Sequence, residues 1–242
     1  MKRRLATIAI AIGTAALLLA PPLHAQAPEG RLYTPGAFDA IEISGAADVR
    51  FQQGANDQVF IEGGDEAQQR VELRVRNNVL SIDSGGGWKF WNANRLQVVV
   101  TARQLARLTI SGAASVQAPA PVRAGRLGIS ISGAGVARFD QLTADHLVFS
   151  VSGSGDADVA GQVRELGVSI AGRSDFRGEN LASRRARVSI AGVGDVKVWA
   201  IEDLTLSVSG VGRIEYWGSA QVRRSTSGAA TVVDRGPKPA PP

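Results

Sequence analysis

The chain has no cysteine, one methionine and two histidines in 242 residues, and only 5% of it is aromatic. Without cysteine there is no disulfide framework, no thiolate nucleophile, no cysteine-based zinc site and no lipid-attachment residue. One histidine, His24, lies in the N-terminal apolar segment, so His146 stands alone in the rest. Histidine-dependent triads and histidine metal clusters therefore lack their residues. His146 precedes an inward-pointing leucine and reads as a solvated side chain facing outward or lining a turn. A strong excess of one charge is missing as well. The formal net charge is +5, of which Lys2, Arg3 and Arg4 supply three with no acid among the first 25 residues. The remaining +2 is spread over a mixed surface, which speaks against nucleic acid as a partner. Core burial and strand pairing must hold the fold.

The N-terminus carries an address. After the three basic residues, 5–20 form an apolar run of about 16 residues that Pro21-Pro22 break before Leu23-His24-Ala25. This reads as a signal peptide, 1–25, cleaved after Ala25; the run is short for the roughly 20 residues that span a bilayer. A retained anchor is the competing reading. The expected location is the periplasm or the medium, with no transmembrane segment after cleavage. Residues 26–33 read as a leader, 34–234 as one domain, and 235–242 (RGPKPAPP) as a disordered Pro-rich tail.

Within the domain one phrase recurs eight times: an alternating apolar/polar strand, a small residue, then glycine. The glycines are Gly45, Gly112, Gly133, Gly153, Gly172, Gly192, Gly210 and Gly228, and from Gly112 their spacings are 21, 20, 19, 20, 18 and 18. A strand-built repeat of this length is the mark of a β-solenoid. Positions two, four and six before the glycine are apolar, as in Ile131, Ile129 and Leu127, and period-2 alternation sends them to one face. A second alternation follows at four and six past the glycine, as in Ala137 and Phe139. Val122, Leu142, Val163, Leu181 and Ile201 are expected to line a third side. The expected fold is all-β: a single-domain parallel β-helix with coils of about 18–21 residues and a less regular N-terminal third. In that third, Asn77-Asn78 is predicted to turn a hairpin, and 63–69 to hold a loop or a short helical turn. Arg224 and Asp234 occupy apolar positions of the repeat and mark a terminal coil that caps the stack.

The opening run 36–49 (GAFDAIEISGAADV), the strings 59–63 and 80–82, and the recurrent Ser-Gly-x-Gly-Asp-Val phrases resemble the bacterial "putative auto-transporter adhesin head GIN domain" family over about 38–233. The resemblance implies a right-handed β-helix exported to the envelope, and the family's name suggests adhesion. It transfers no catalytic residue. Its lipoprotein members begin with a lipid-attachment cysteine, which this chain lacks.

Three features are candidates for chemistry. Asp156, Asp175 and Asp195, like Asp48, stand three residues past a glycine, and on stacked coils the first three would be roughly 5 Å apart. Carboxylates at that separation suit retaining glycoside hydrolysis or Ca²⁺. The alternative is that each aspartate bonds its own corner backbone; Ser115, Val136, Arg213 and Thr231 fill the same slot elsewhere, which favours the corner. Trp88, Phe90 and Trp91 cluster among glycines and lysine; they either stack on sugar rings or plug the core of the irregular third. Ser130, Ser150, Ser169, Ser189 and Ser207, with Ser225, stand three before each glycine and form a ladder on one face, which binds a glycan or another envelope protein or is merely solvated. No cofactor or metal site is expected. The sequence thus points to an exported, non-enzymatic binding or adhesion module; a polysaccharide lyase or hydrolase using the corner aspartates is the alternative.

Overall fold

The computed structural model of the chain describes residues 29–84 and 96–239. Residues 1–25, expected to be a signal peptide, and the segment holding Trp88, Phe90 and Trp91 lie outside the described residues. The regular part is a β-solenoid of stacked coils, and its strands are β10 (Val122–Ile131), β11 (Ala134–Val151), β12 (Ser154–Ile170), β13 (Arg173–Ile190) and β14 (Val193–Val208). β11 to β14 each run unbroken around most of one coil and β10 around half of one, and each pairs in parallel with the next. The Ser-Gly or Ala-Gly phrase is the one corner where the strand is interrupted.

Two long walls result. The first ends each strand just before the glycine, and the second begins just after it. The apolar side chains expected from the alternation are buried on both walls, including Ile129, Ile131, Phe149, Ile170 and Val208 on the first and Ala137, Phe139, Phe176 and Val196 on the second. Phe149 of β11 meets Phe176 of β13 across the core, ring centroids 5.2 Å apart and tilted by 43°. Like residues stack in columns because the register is parallel and repeats: Leu127, Leu147, Leu166, Ala186 and Leu204 lie one above another.

The repeated glycine has a steric cause. Gly112, Gly133, Gly153, Gly172, Gly192, Gly210 and Gly228 nest on one another, and a Cβ on any of them would lie 1.9–2.2 Å from the carbonyl oxygen of the glycine one coil earlier. Only Gly45, at the foot of this column, has a left-handed backbone, φ 87°. Close approach of the coils, and not turn conformation, therefore demands glycine along the column.

The third wall differs from the expected column. Val122, Leu142 and Leu181 share a column with Gly161, while Val163 aligns with Ala124, Ala144, Ser183 and Ala200. Ile201 is half-exposed. Register shifts between Phe139 and Leu142, Asp158 and Gly161, Gly178 and Ala182, and Ser183 and Arg185 absorb the variation in coil length. Up to β13 the two columns stand 11 and 9 residues before each glycine, so the expected set drew Val163 from the wrong one; only the shift between Ser183 and Arg185 breaks the count, in β14.

The N-terminal third is wound out of order. β2 (Ala40–Ser44) and β3 (Ala46–Gln53) form a coil lying between β6 (Val79–Ser84) with β7 (Leu96–Ala102) on one side and β8 (Arg107–Ile110) with β9 (Ala113–Ala118) on the other. Antiparallel strands finish this end: β5 (Val71–Arg76) on β6, β4 (Gln58–Glu62) on β7, and β1 (Gly30–Tyr33) on β4. Asn77 and Asn78, φ 50° and 63°, turn the β5–β6 hairpin, as two left-handed residues in succession should. A short helix, α1 (Asp65–Gln69), connects β4 to β5. Strand β1 places half of the expected leader in the sheet. Asp57 clamps the β3–β4 connection by accepting from the Arg103 backbone at 2.9 Å and its guanidinium at 2.6 Å, and this hydrogen bonding holds its carboxyl below the usual range.

At the other end β15 (Val211–Trp217), β16 (Gln221–Thr226) and β17 (Ala229–Asp234) make the last coils. Arg224 aligns with Leu206 and Asp234 with Tyr216, and both are exposed, so the terminal coil is polar where the others are filled. Beyond it, 235–239 does not behave as a free tail. The Arg235 N–H bonds the Tyr216 carbonyl at 2.9 Å and the Gly218 N–H bonds the Gly236 carbonyl at 3.0 Å, docking this stretch along the preceding coil.

Candidate functional site

On the outer face of the first wall, Ser130, Ser150, Ser169, Ser189, Ser207 and Ser225 stand in one register column, which Thr109 continues below. Strand pairing sets their spacing at about 4.8 Å. Beside them, next to the glycine corner, runs a second column of Ser111, Ser132, Ser152, Ala171, Ala191, Ser209 and Ser227, its five serines and two alanines all exposed. Two columns of small, uncharged side chains make this wall flat. Its far edge is charged: Glu165 accepts from Arg185 at 2.5 Å and lies 3.2 Å from His146 Nδ1. Desolvation raises the Glu165 pKa, but the hydrogen bond and charge of Arg185, with His146, outweigh it and hold the carboxyl below its usual range. His146 is 40% exposed and faces outward, as expected.

The aspartates stand on the outer face of the second wall. Asp175 and Asp195 are register partners. Asp156 Oδ1 accepts the Asp175 backbone N–H at 2.9 Å. The carboxylate thus serves the backbone of the next coil and not its own corner, standing in for a ladder bond. Asp175 is also 3.4 Å from Arg177. These acids lie on an open wall, away from the lining of the groove on the third wall, a poor place to hold a sugar against water. Asp175→Asn and Asp195→Asn, singly and together, should shift stability by about 1 kcal/mol or less in urea melts. Asp156→Ala should cost about 1 kcal/mol by leaving the Asp175 N–H without its acceptor. A double Asn variant that lost several kcal/mol would contradict the assignment.

The third wall carries a groove of about 660 Å³. Ala144, Val163 and Ala182 form part of its floor, with Thr143, Gln162 and Arg123 on its sides. Two of its arginines are already engaged, Arg164 with Asp145 at 3.1 Å and Arg184 with Glu202 at 2.5 Å.

One pair of residues escaped the sequence reading. Trp199 and Trp217 are register partners on adjacent coils at the corner between second and third walls. They are 18 residues apart in the chain and so form no visible cluster. Aligning the repeats on their glycines would have found them, since both stand seven past a glycine, where earlier coils carry Asp140, Ala160 and Glu179.

With this geometry in hand, comparison with known proteins is decisive at the level of family. The family described as "Putative auto-transporter adhesin, head GIN domain" matches residues 37–220. The chain belongs to this head GIN domain family. No curated protein matches it. Among solved structures, a "putative adhesin" from Bacteroides fragilis superposes with a TM-score of 0.80 at 23% identity, covering 86% of this chain and 97% of that one. A "putative adhesin" from Parabacteroides distasonis gives 0.65 at 22% identity, covering 85% and 95%. A "putative lipid binding protein" from the same organism gives 0.60 at 19% identity, covering 89% and 98%. These structures share the fold of this head GIN domain, and their differing names show that the fold alone does not fix a ligand. No helix among the described residues is long and apolar enough to cross a membrane.

Proposed function

We propose that this head GIN domain is an exported, non-enzymatic adhesion module whose serine wall lies along an extended neutral glycan. The observation that carries the reading is the unbroken register of the serine column across six coils. A flat hydroxyl surface exchanges hydrogen bonds with a polyhydroxylic chain at little desolvation cost, and many weak contacts along one polymer add up through effective concentration. Trp88, Phe90 and Trp91 are proposed as a second contact, stacking on sugar rings. Cleavage after Ala25 would deliver the module to the periplasm or the medium; N-terminal sequencing of the exported protein should then begin at Gln26, and a chain beginning at Met1 would contradict it.

The polysaccharide-cleaving alternative loses ground to the placement of the aspartates. Asp156 is committed to backbone, and Asp175 faces Arg177 on an open surface. Incubation of the exported protein with immobilised envelope and host polysaccharides separates the readings. Retention on a polysaccharide with no released reducing ends or unsaturated products is expected. Turnover that Asp175→Asn abolishes would overturn the non-enzyme reading.

A further inference from the structure

The tail does more than cover the last coil. The bulge between Gly178 and Ala182 pushes Glu179 and Asn180 out of the ladder, beside the Trp199–Trp217 corner. Into this corner comes the side chain of Lys238, from the docked 235–239 segment. Its Nζ lies 4.9 Å from the centroid of the Trp199 ring and 6.0 Å from that of Trp217. It donates to the Glu179 backbone carbonyl and, at 3.1 Å, to the Asn180 side-chain oxygen. Two ring faces and two oxygens thus surround one ammonium, the arrangement that a cation needs when it leaves water. The Glu179 carboxylate adds negative charge: Oε1 is 3.7 Å from Lys197, and Oε2 is buried with no hydrogen-bond partner.

We propose that Glu179, Asn180, Trp199 and Trp217 form a receptor for a primary ammonium group, the side chain of a lysine, which the protein's own Lys238 fills in cis. The site is built by the fold and not by the tail. Trp199 is 4% exposed and fixed by strand pairing to Trp217 and by the Ser183 hydroxyl, which bonds the Trp199 carbonyl at 2.7 Å. The bulge, a device that re-aims side chains, supplies both oxygens. The occupant is held by a short lever: Pro237 and Pro239 flank Lys238, limiting its conformations, and Arg235 bonds Glu215 at 2.9 Å. The Arg235 hydrogen bond first, with Arg213 on the other side, lowers the Glu215 carboxyl to about 2, so this anchor stays charged down to strongly acidic pH. Resident lysine and receptor are separate parts, and a lysine from elsewhere can take the place when the tail lifts. This station is independent of the serine wall.

Replacement of the resident ammonium by a free one tests the assignment. Lys238→Ala in the full chain should lower the melting temperature by about 2–4 °C, a modest shift of the kind that losing one such contact produces in a chain of this length. Added n-butylammonium should restore it saturably and perturb tryptophan fluorescence in parallel, while the unaltered protein at matched ionic strength responds to neither. Adding Trp217→Leu to Lys238→Ala should abolish the rescue. Equal rescue by n-butanol would show that only the methylene packing matters and would overturn the proposal. So would an equal response of the unaltered protein, or no saturable response in either signal.

Discussion

Gly172→Ala should destabilise the protein by about 3 kcal/mol or more, a drop of roughly 6–12 °C in melting temperature, although it adds a single methyl group. The added Cβ would fall 1.9 Å from the Gly153 carbonyl oxygen, 2.6 Å from that of Ser152 and 2.8 Å from the Ser152 carbonyl carbon. All three are backbone atoms in the neighbouring coil, so no rotamer change can relieve the clash. The coils must part, and the corner bonds from Gly172 to Val151 and from Arg173 to Gly153 part with them. Gly128→Ala is the matched control. Its Cβ would meet nothing closer than the Ala106 carbonyl at 3.9 Å, and the change should stay within about 0.5 kcal/mol. Equal melting temperatures for the two variants would contradict the nested glycine column.

Ile170→Asp should be as severe. Ile170 is 1% exposed, packed in register between Val151 and Ile190. A carboxylate there has no cation and no donor within the core, and stranding it costs several kcal/mol, of the order that unfolds a marginal domain. Val193→Asp, on the outer face of the second wall at 45% exposure, should be nearly neutral. Loss of the cooperative melt in the first variant alone is the expected result; a native melting temperature for it would remove the stacked core.

The walls could be read from the sequence because their cause is local. Two alternating strands flank every glycine, and the same polarity pattern returns in each coil, so inward positions such as Phe149 and Val196 are visible without long-range information. The third wall could not be read this way. Its two columns stand 11 and 9 residues before each glycine, but one holds Gly161 and the other Ser183, so apolarity alone picks residues from both, and in β14 a bulge shifts the count. The order of the first coils was hidden for a related reason: β6 and β7 fold back beneath β2 and β3, a choice made by strand pairing between distant segments. Asp156 illustrates the limit at the level of one side chain. Its corner position suggested a bond to its own backbone, but the donor it meets is the Asp175 N–H in the next coil. The Trp199–Trp217 corner was legible in principle, as a column and not as a cluster, whereas Lys238 was dismissed with its prolines because a segment unable to join a ladder can still dock on one.

The serine wall is the centre of the functional account, and binding by a wall-altered variant tests it most directly. Ser150→Lys with Ser189→Lys places two long, charged side chains in the column without touching the core, and the melting temperature should hold. On a glycan array the unaltered exported protein should bind a defined set of neutral glycans, and the double variant should lose that binding by tenfold or more, about 1.4 kcal/mol. Undiminished binding by the folded variant would contradict the assignment of the wall.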